Sequence, residues 1–231
     1  MGFRVSAERA SMLNERDIRW SDEISVLGNK ANRLLTMELA QRAIDEGIRG
    51  DFAECGVLSG GHPAMMAHIE MLYGDGSRYI HLYDSFRGVP QPGPDDVDEY
   101  KKTYGVNLDR KHGKAIGRCI GTLEQVKANM EVWHIPESML IYHPGWIQEV
   151  LLNEPIPTLA LLRADVDLYD STIPIFESLY PKMPSGSFII SDDWGESPSA
   201  PCRVASIKAM GYEPEVTPVE GQTTTVWWRK P

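Results

Sequence analysis

The chain of 231 residues is 42% hydrophobic and 24% charged, which is typical of a globular protein with one sizeable core. Its net charge of −10 offers no basic excess for gripping nucleic-acid phosphates, so a nucleic-acid-binding protein is not expected. No apolar run approaches the roughly 18 residues of a membrane span, and the charged N-terminus does not resemble a secretory leader. Cys55, Cys119 and Cys202 are too widely spaced for a zinc site. These features predict a cytoplasmic protein with reduced thiols and no membrane partner.

Residues 1–48 predict a helical N-terminal segment, because apolar side chains recur at helical spacing as far as Gly47, a candidate C-cap. We expect this segment to form a cap or lid over a single domain that spans residues 49–231. Within that domain strand patterns alternate with helix patterns, and the last residues predict a β-hairpin. The predicted strands span residues 51–57, 78–85, 138–145, 158–166 and 186–194, and the predicted helices include residues 62–74, 121–130, 171–183 and 202–212. This order predicts an α/β fold with a doubly wound, mostly parallel sheet and an antiparallel edge.

Local signals indicate how some of these elements begin. Thr122 and Gln125 resemble a capping box at the start of one helix, and Ser171 or Asp170 is expected to cap the next. Residues 87–107 are rich in proline, glycine and acidic side chains, which favours a long active-site loop or lid.

Two acidic clusters follow the fourth and fifth predicted strands. Asp165 and Asp167 belong to the first cluster, and Asp192 and Asp193 form the second. The carboxyl ends of parallel strands lie in the crevice where open α/β sheets bind ligands. Carboxylates that converge there would repel one another without a cation between them, and oxygen ligands suit a hard divalent cation. The two clusters together therefore favour a metal site, although adjacent acids are common on surface turns.

A glycine-rich turn follows the first predicted strand and contains Glu54, Gly56, Gly60 and Gly61. Glycine lets a ligand approach the backbone there, but a tight turn without a ligand explains the same residues equally well. Asp84 lies at the tip of the second predicted strand, where a carboxylate can accept two hydrogen bonds from a ribose diol. With the glycine turn upstream, Asp84 becomes a candidate for binding adenosine.

Two histidines lie near these predicted strand ends. His143 ends the third strand, where it is a candidate general base near neutral pH. A histidine of the core or of a turn is at least as consistent with that position. His62 is close to the glycine turn and is expected to help shape it.

Six segments resemble the macrocin O-methyltransferase family in the same order: ECGVLSGG, LYDSFRGVP, PGWIQEVL, RADVDLYDSTIPIFESLYPKMPSGSFIISDDW, CRVASIKAMG and VWWRK. The resemblance extends from about residue 50 to the C-terminus, and its long fourth segment is the most specific part. It implies enzymes that use S-adenosyl-L-methionine and Mg²⁺ to methylate sugar hydroxyls. It also implies the class I methyltransferase fold, a Rossmann-like seven-stranded sheet in the order 3-2-1-4-5-7-6, with strand 7 antiparallel and helices on both faces.

The same resemblance implies roles for individual residues. The implied cofactor-binding residues are Glu54, Gly56, Ser59 and Gly60 around the methionine end, Asp84 and Ser85 at the ribose, Gly145 and Trp146 near the adenine, and Asp165. Asp165, Asp192 and Asp193 are the implied metal ligands. Asp165 is also the implied base, so the choice between Asp165 and His143 stays open.

The leading prediction is a metal-dependent O-methyltransferase that acts on a sugar hydroxyl of a glycoside, an oligosaccharide or a glycosylated natural product. A catechol-type O-methyltransferase would use the same metal site with a different acceptor. A non-catalytic S-adenosylmethionine-binding protein is the third possibility, although it has no need of the acidic cluster. The resemblance also implies a homodimer or a larger homo-oligomer.

Overall fold

Seven strands form one mixed sheet in the computed structural model, which describes residues 13–24, 29–96, 118–195 and 200–231. The strands are β1 (Asp51–Cys55), β2 (Ile80–Asp84), β3 (Leu140–Pro144), β4 (Leu159–Ala164), β5 (Phe188–Ser191), β6 (Thr217–Pro218) and β7 (Val226–Arg229). Their order across the sheet is β3-β2-β1-β4-β5-β7-β6. The first five pair in parallel, whereas β7 runs antiparallel to β5 and to β6. The predicted strand order, the antiparallel strand 7 and the C-terminal hairpin are confirmed.

The central strands are apolar because both faces of the sheet are covered. Every residue of β4 and β5 is buried, as expected for parallel strands that lie between two helical layers. Successive side chains point to opposite faces. Phe52 and Ile80 accordingly belong to one hydrophobic core, and Ala53 and Tyr83 belong to the other.

The described residues contain seven α-helices that pack on these two faces. They are α1 (Glu15–Asp22), α2 (Lys30–Asp45), α3 (Gly61–Tyr73), α4 (Leu123–Val132), α5 (Ile147–Asn153), α6 (Tyr169–Ser178) and α7 (Ala200–Met210). Helix α2 contacts α3, β4 and β5, so the N-terminal segment contributes directly to one helical layer. Helix α6 contacts α5 and α7 in the other layer. None of the helices in these described ranges has the length and apolar character needed to cross a membrane.

Two predicted helix boundaries are confirmed in detail. The backbone N–H of Gln125 donates to Thr122 Oγ1 at 3.2 Å, and the N–H of Thr122 donates to Gln125 Oε1 at 3.1 Å, which is the predicted capping box. Gly47 follows α2 with a φ of 64°. The N–H of Ile48 then donates to the carbonyl of Ala43, which is typical of a helix that ends at a left-handed glycine.

The predicted cap of α6 is wrong. The helix begins at Tyr169, before both Asp170 and Ser171, and its N-cap residue Leu168 provides no side-chain hydrogen bond. The N–H of Tyr169 instead donates to Asp96 Oδ1 at 2.8 Å. A cap that comes from 73 positions upstream leaves no local sequence signal.

In the predicted lid, residues 88–96 form neither helix nor strand, and residues 97–107 lie outside the described residues.

Candidate active site

A cleft with a volume of about 260 Å³ lies at the carboxyl ends of the parallel strands. The predicted site residues that line it are Glu54, Gly56, Ser59, Asp84, Ser85, Gly145, Trp146, Asp165 and Asp192. The structure therefore brings most of the predicted residues to one place, because parallel strands all end at the same edge of the sheet. Gly60, His143 and Asp193 were also predicted, but they do not line this cleft.

The turn after β1 keeps its backbone close to β4. Gly56 has a φ of +88°, and a Cβ atom added to it would lie 1.7 Å from the carbonyl oxygen of Asp165. Only glycine fits there, because both the left-handed backbone and the close approach exclude a side chain. Gly60 also has a positive φ, but its added Cβ would meet the side chains of Met130 and Val126. Gly60 is thus required for the start of α3 and for its packing on α4.

Asp84 connects the tip of β2 to the glycine turn. Its Oδ2 accepts the N–H groups of Val57 at 2.7 Å and Leu58 at 3.3 Å. Its Oδ1 accepts the N–H of Phe86 at 2.7 Å. Burial raises the pKa of the Asp84 carboxyl, and these backbone hydrogen bonds oppose that rise. Asp84 therefore holds the turn in place as well as facing the cleft. Beside it, Ser85 Oγ donates to the carbonyl of Gly88.

Arg163 lies at the centre of the acidic part of the cleft. Its guanidinium is fully buried and donates from Nε to Glu54 Oε1 at 2.9 Å. Its Nη2 donates to Asp165 Oδ2 at 2.9 Å and to Asp192 Oδ1 at 2.8 Å. The three carboxylates come from β1 and from the residues just after β4 and β5, so this one cation links three adjacent strands.

The carboxylates of this cluster are in different electrostatic environments. Burial and the neighbouring Asp192 raise the pKa of Asp165 well above its usual range, with Arg163 opposing the rise. Burial also acts against the ionised form of Asp192, but Arg163 and hydrogen bonds from Asn32 and Thr225 outweigh it and lower the pKa. The side chain of Asp165 keeps 29% exposure, so it is reachable from the cleft. Asp165 is therefore the more basic of these two carboxylates.

Asp193 and Asp167 form the second half of the acidic cluster. Asp193 Oδ2 accepts the N–H groups of Val166 at 3.2 Å and Asp167 at 2.9 Å, which directs this oxygen at the backbone beyond β4. Asp167 lines the cleft and has a φ of +63°, a strained backbone for a residue other than glycine. Burial and neighbouring carboxylates raise the pKa of Asp167 to about 7 and that of Asp193 to about 8.

The predicted Mg²⁺ site is tested by these contacts. The carboxylates of Asp165 and Asp192 accept hydrogen bonds from Arg163, and those of Asp167 and Asp193 lie close enough to Asp192 to have their pKa raised by it. Carboxylate oxygens are the ligands that a hard divalent cation prefers. Within the described ranges, however, no three or more histidine, cysteine, aspartate or glutamate side chains are arranged as a metal site. The donor chemistry suits Mg²⁺, whereas the arrangement is that of an ion-pair cluster around Arg163.

His143 belongs to a separate buried network. Its Nε2 lies 2.9 Å from Nδ1 of His81, its Nδ1 contacts the carboxylate of Glu154, and its ring stacks on Tyr83. His81 Nε2 in turn lies 3.1 Å from Asp51 Oδ2. Burial lowers the pKa of His143, and Glu154 opposes that shift. Both ring nitrogens of His143 therefore have protein partners, and the ring lies outside the cleft.

Several cleft residues were not predicted as site residues. They include Asn32, Leu58, His62, Cys119, Asp167, Ser171 and Gln222. Asn32 comes from α2, more than 20 positions before the glycine turn, and no local pattern marks it. Asp167 could have been identified as a site residue from the sequence, since it already belonged to the predicted acidic cluster. His62 could have been identified too, as it follows the glycine turn directly.

The family model described as "Macrocin-O-methyltransferase (TylF)" matches residues 20–230. A relative from Streptomyces olivaceus, 8-demethyl-8-(2,3-dimethoxy-alpha-L-rhamnosyl)-tetracenomycin-C 4'-O-methyltransferase, is 31% identical over 192 residues, covering 82% of this chain and 69% of the relative. The demethyldecarbamoylnovobiocin O-methyltransferase of Streptomyces niveus is 33% identical over 172 residues, covering 73% of this chain and 61% of the relative.

Among solved structures, that of the O-methyltransferase NovP is similar with a TM-score of 0.74 at 27% identity, covering 87% of this chain and 80% of NovP. Because the family model matches most of its length, this chain belongs to the macrocin O-methyltransferase family and is an O-methyltransferase.

Proposed function

We propose that this protein transfers a methyl group from S-adenosyl-L-methionine to a sugar hydroxyl of a glycoside, an oligosaccharide or a glycosylated natural product, with help from a divalent cation. One observation carries the proposal: the glycine turn, Asp84 and the cleft-facing Asp165 share a single cleft. The relatives support the acceptor class, because the name of the first describes methylation of a rhamnosyl group.

The cofactor would lie along the strand ends, with its adenosine over β2 and β3. S-adenosyl-L-methionine supplies an electrophilic methyl group on a sulfonium centre. Asp84 would hold the ribose, while Gly145 and Trp146 border the adenine. The glycine turn, which lines the cleft, would border the methionyl part beside β1 and β4. This placement leaves the acidic cluster of β4 and β5 for the acceptor.

We assign the role of proton acceptor to Asp165. It faces the cleft, and its side chain is 29% exposed, so a carboxylate oxygen can reach a bound acceptor. His143 lies outside the cleft with both nitrogens engaged. Arg163 keeps Asp165 oriented through the hydrogen bond to Oδ2, and so fixes the oxygen that is left to receive the proton.

Asp165, Asp192 and Asp193 are the residues that would hold Mg²⁺, which would act as a Lewis acid and lower the pKa of a bound hydroxyl. The excess of carboxylates over cations in this part of the cleft supports that role. The N-terminal segment would border the acceptor, since α2 already supplies Asn32 to the cleft wall.

We also propose that the protein forms a homo-oligomer and that it is located in the cytoplasm.

The proposed function is tested by following the methyl group from labelled S-adenosyl-L-methionine into a panel of rhamnosides, other glycosides, oligosaccharides and catechols. We expect labelling of a sugar that is abolished by EDTA and restored by added Mg²⁺. Labelling of catechols alone would replace the sugar assignment. Labelling that persists in EDTA would reject the proposed role of a divalent cation. Binding of the cofactor without labelling of any acceptor would favour a non-catalytic S-adenosylmethionine-binding protein.

The assignment of the base is tested with the variants Asp165→Asn and His143→Gln. We expect Asp165→Asn to lower kcat at least about 100-fold, which is the usual contribution of a general base. His143→Gln keeps an amide near the position of Nε2, and its kcat should have the pH profile of the wild type. Loss of the fall in kcat at low pH, where a general base becomes protonated, from the His143→Gln profile would move the role of base to His143.

A further inference from the structure

The turn between β6 and β7 lies at the same edge of the sheet as the cleft. Strand β7 runs antiparallel to β5, and its first residue, Val226, pairs with Ser191 at the carboxyl end of β5. Residues 219–225 lead into β7 and therefore lie beside the acidic residues that follow β5. Gln222 belongs to this turn and lines the cleft. The C-terminal hairpin thus contributes a side chain to the acidic end of the cleft.

Contacts on both sides of Gln222 hold the turn in place. Asn29, the N-cap residue of α2, donates from Nδ2 to the carbonyl oxygen of Gly221 at 3.2 Å. On the other side, Thr225 Oγ1 donates to Asp192 Oδ1 at 2.9 Å. Gln222 is therefore fixed between the start of α2 and the acidic cluster, three residues from a hydroxyl that contacts this cluster directly.

Two side-chain amides line the described part of the cleft, and the protein uses them differently. Asn32 Nδ2 donates to Asp192 Oδ1 at 3.0 Å and to Thr225 Oγ1 at 3.3 Å, so both of its hydrogens are engaged within the protein. The side-chain amide of Gln222 is half-buried and has no hydrogen-bond partner among the described residues. Gln222 therefore presents two N–H donors and a carbonyl acceptor at this end of the cleft.

This pairing capacity matches a sugar hydroxyl, which donates one hydrogen and accepts through its oxygen. The carboxylates of Asp165 and Asp167, when ionised, can only accept, so they cannot donate to a hydroxyl oxygen. An amide can do both. A catechol would place its two hydroxyls at the proposed metal site and would leave none for Gln222. The cofactor does not compete for this amide, because three strands separate β7 from β2, where Asp84 would hold the ribose.

We propose that Gln222 binds the acceptor sugar through a hydroxyl that neighbours the methylated one, and that it selects acceptors in which this second hydroxyl is free. The proposal rests on the proposed function, with the sugar at the acidic end of the cleft. It assigns part of the acceptor specificity to the C-terminal hairpin. Gln222 takes no part in the methyl transfer itself, so its loss should change KM for the sugar rather than kcat.

The test compares Gln222→Met, which keeps the length of the side chain and removes its amide, with the control Thr223→Val. Thr223 is the next residue of the same turn, but it is exposed and does not line the cleft. The acceptors are the glycoside with the highest kcat/KM in the panel above and its two analogues that each lack one hydroxyl next to the methylated position. Calorimetry gives the Kd of S-adenosylhomocysteine, and thermal melting checks that each variant is folded.

We expect Gln222→Met to raise KM for the glycoside by about 10-fold, the effect of one or two hydrogen bonds between neutral groups. Its Kd for S-adenosylhomocysteine should stay within about twofold of the wild type, as should both constants of Thr223→Val. One of the deoxy analogues should raise KM of the wild type by about the same factor as the substitution. The same analogue should leave KM of Gln222→Met almost unchanged, because the partner of the missing hydroxyl is already gone.

A wild-type KM in Gln222→Met for a glycoside that is methylated would overturn the proposal and leave the proposed function standing. Equal losses of affinity for the glycoside and for S-adenosylhomocysteine would also overturn it, because they would indicate damage to the whole site. The same holds if each deoxy analogue affects the wild type and Gln222→Met equally. Labelling of catechols, but of no glycoside or oligosaccharide, would reject the proposed function and the proposal together.

Discussion

Gly56 illustrates how one residue determines the shape of the cleft. Its left-handed backbone turns the chain away from β1, and its missing side chain lets this turn contact the carbonyl of Asp165. The N–H of Gly56 donates to the carbonyl of Tyr83, and the N–H of Asp165 donates to the carbonyl of Cys55. The β2 side and the acidic side of the cleft are therefore held together through adjoining backbone atoms.

Gly56→Ala should lower the free energy of unfolding by more than about 3 kcal/mol, because backbone must move to accommodate the added methyl group. Gly186→Ala is the matched control, since Gly186 has a φ of +87° with nothing within 4 Å of an added Cβ. We expect the control to cost only about 1–2 kcal/mol, the strain of the left-handed backbone alone. Urea unfolding measures both, and equal losses would mean that the close contact has no energetic effect.

At the scale of elements, the start of α6 depends on a loop that is remote in sequence. Asp96 is 2% exposed and accepts the first N–H of the helix, while its Oδ2 is buried without a partner. Burial raises the pKa of this carboxyl to about 7, and the nearby Asp170 and Asp95 add to the shift. The segment that leads into residues 97–117 is thus attached to the acidic side of the cleft through α6.

The raised pKa predicts a pH-dependent stability. Between about pH 3.8 and about pH 7 the unfolded chain ionises Asp96 while the folded protein keeps the proton. The folded state then binds more protons, so this group makes the protein less stable as the pH rises. Asp96→Asn keeps an oxygen for Tyr169 and removes the ionisation. We expect it to be more stable than the wild type at pH 8 by on the order of a few kcal/mol, and nearly equal at pH 4.

Chemical unfolding of Asp96→Asn at several pH values between those limits checks this prediction. Asp95→Asn is the control, because Asp95 is an exposed neighbour with the same charge. It should change the slope of stability against pH much less. A wild-type slope that survives in Asp96→Asn would show that another group is responsible.

At the scale of the whole molecule, the buried Arg163 joins the middle of the sheet. It connects β1 with the ends of β4 and β5 and balances part of the negative charge that the cleft requires. Removing the cation leaves buried carboxylates without a partner, which is far more costly than breaking an ion pair in water.

Arg163→Met should lower the free energy of unfolding by about 3–5 kcal/mol, because Glu54, Asp165 and Asp192 lose their common partner. The control is Arg203→Met, which breaks an ion pair with Glu213 in which the two side chains are 45% and 55% exposed. The control should lose less than about 1 kcal/mol. Comparable losses in the two variants, measured by urea unfolding, would contradict the central role of Arg163.

By itself, the sequence determined the order of elements, the sheet and the region of the site. Apolar strand runs and the polar residues just beyond them depend only on local pattern, and parallel strands bring their carboxyl ends together whatever the details of packing. The positions of Asp84, Asp165 and Asp192 on one cleft could therefore be predicted, as could the capping box of α4.

Only the tertiary structure decided which atoms meet. The cap of α6 by Asp96, the entry of Asn32 into the cleft and the engagement of both nitrogens of His143 all depend on contacts between residues at least 11 positions apart. The same holds for His62, whose Nδ1 lies 3.0 Å from the hydroxyl of Thr36 on another helix. Such contacts are set by the packing of side chains in three dimensions, which no periodicity along the chain records.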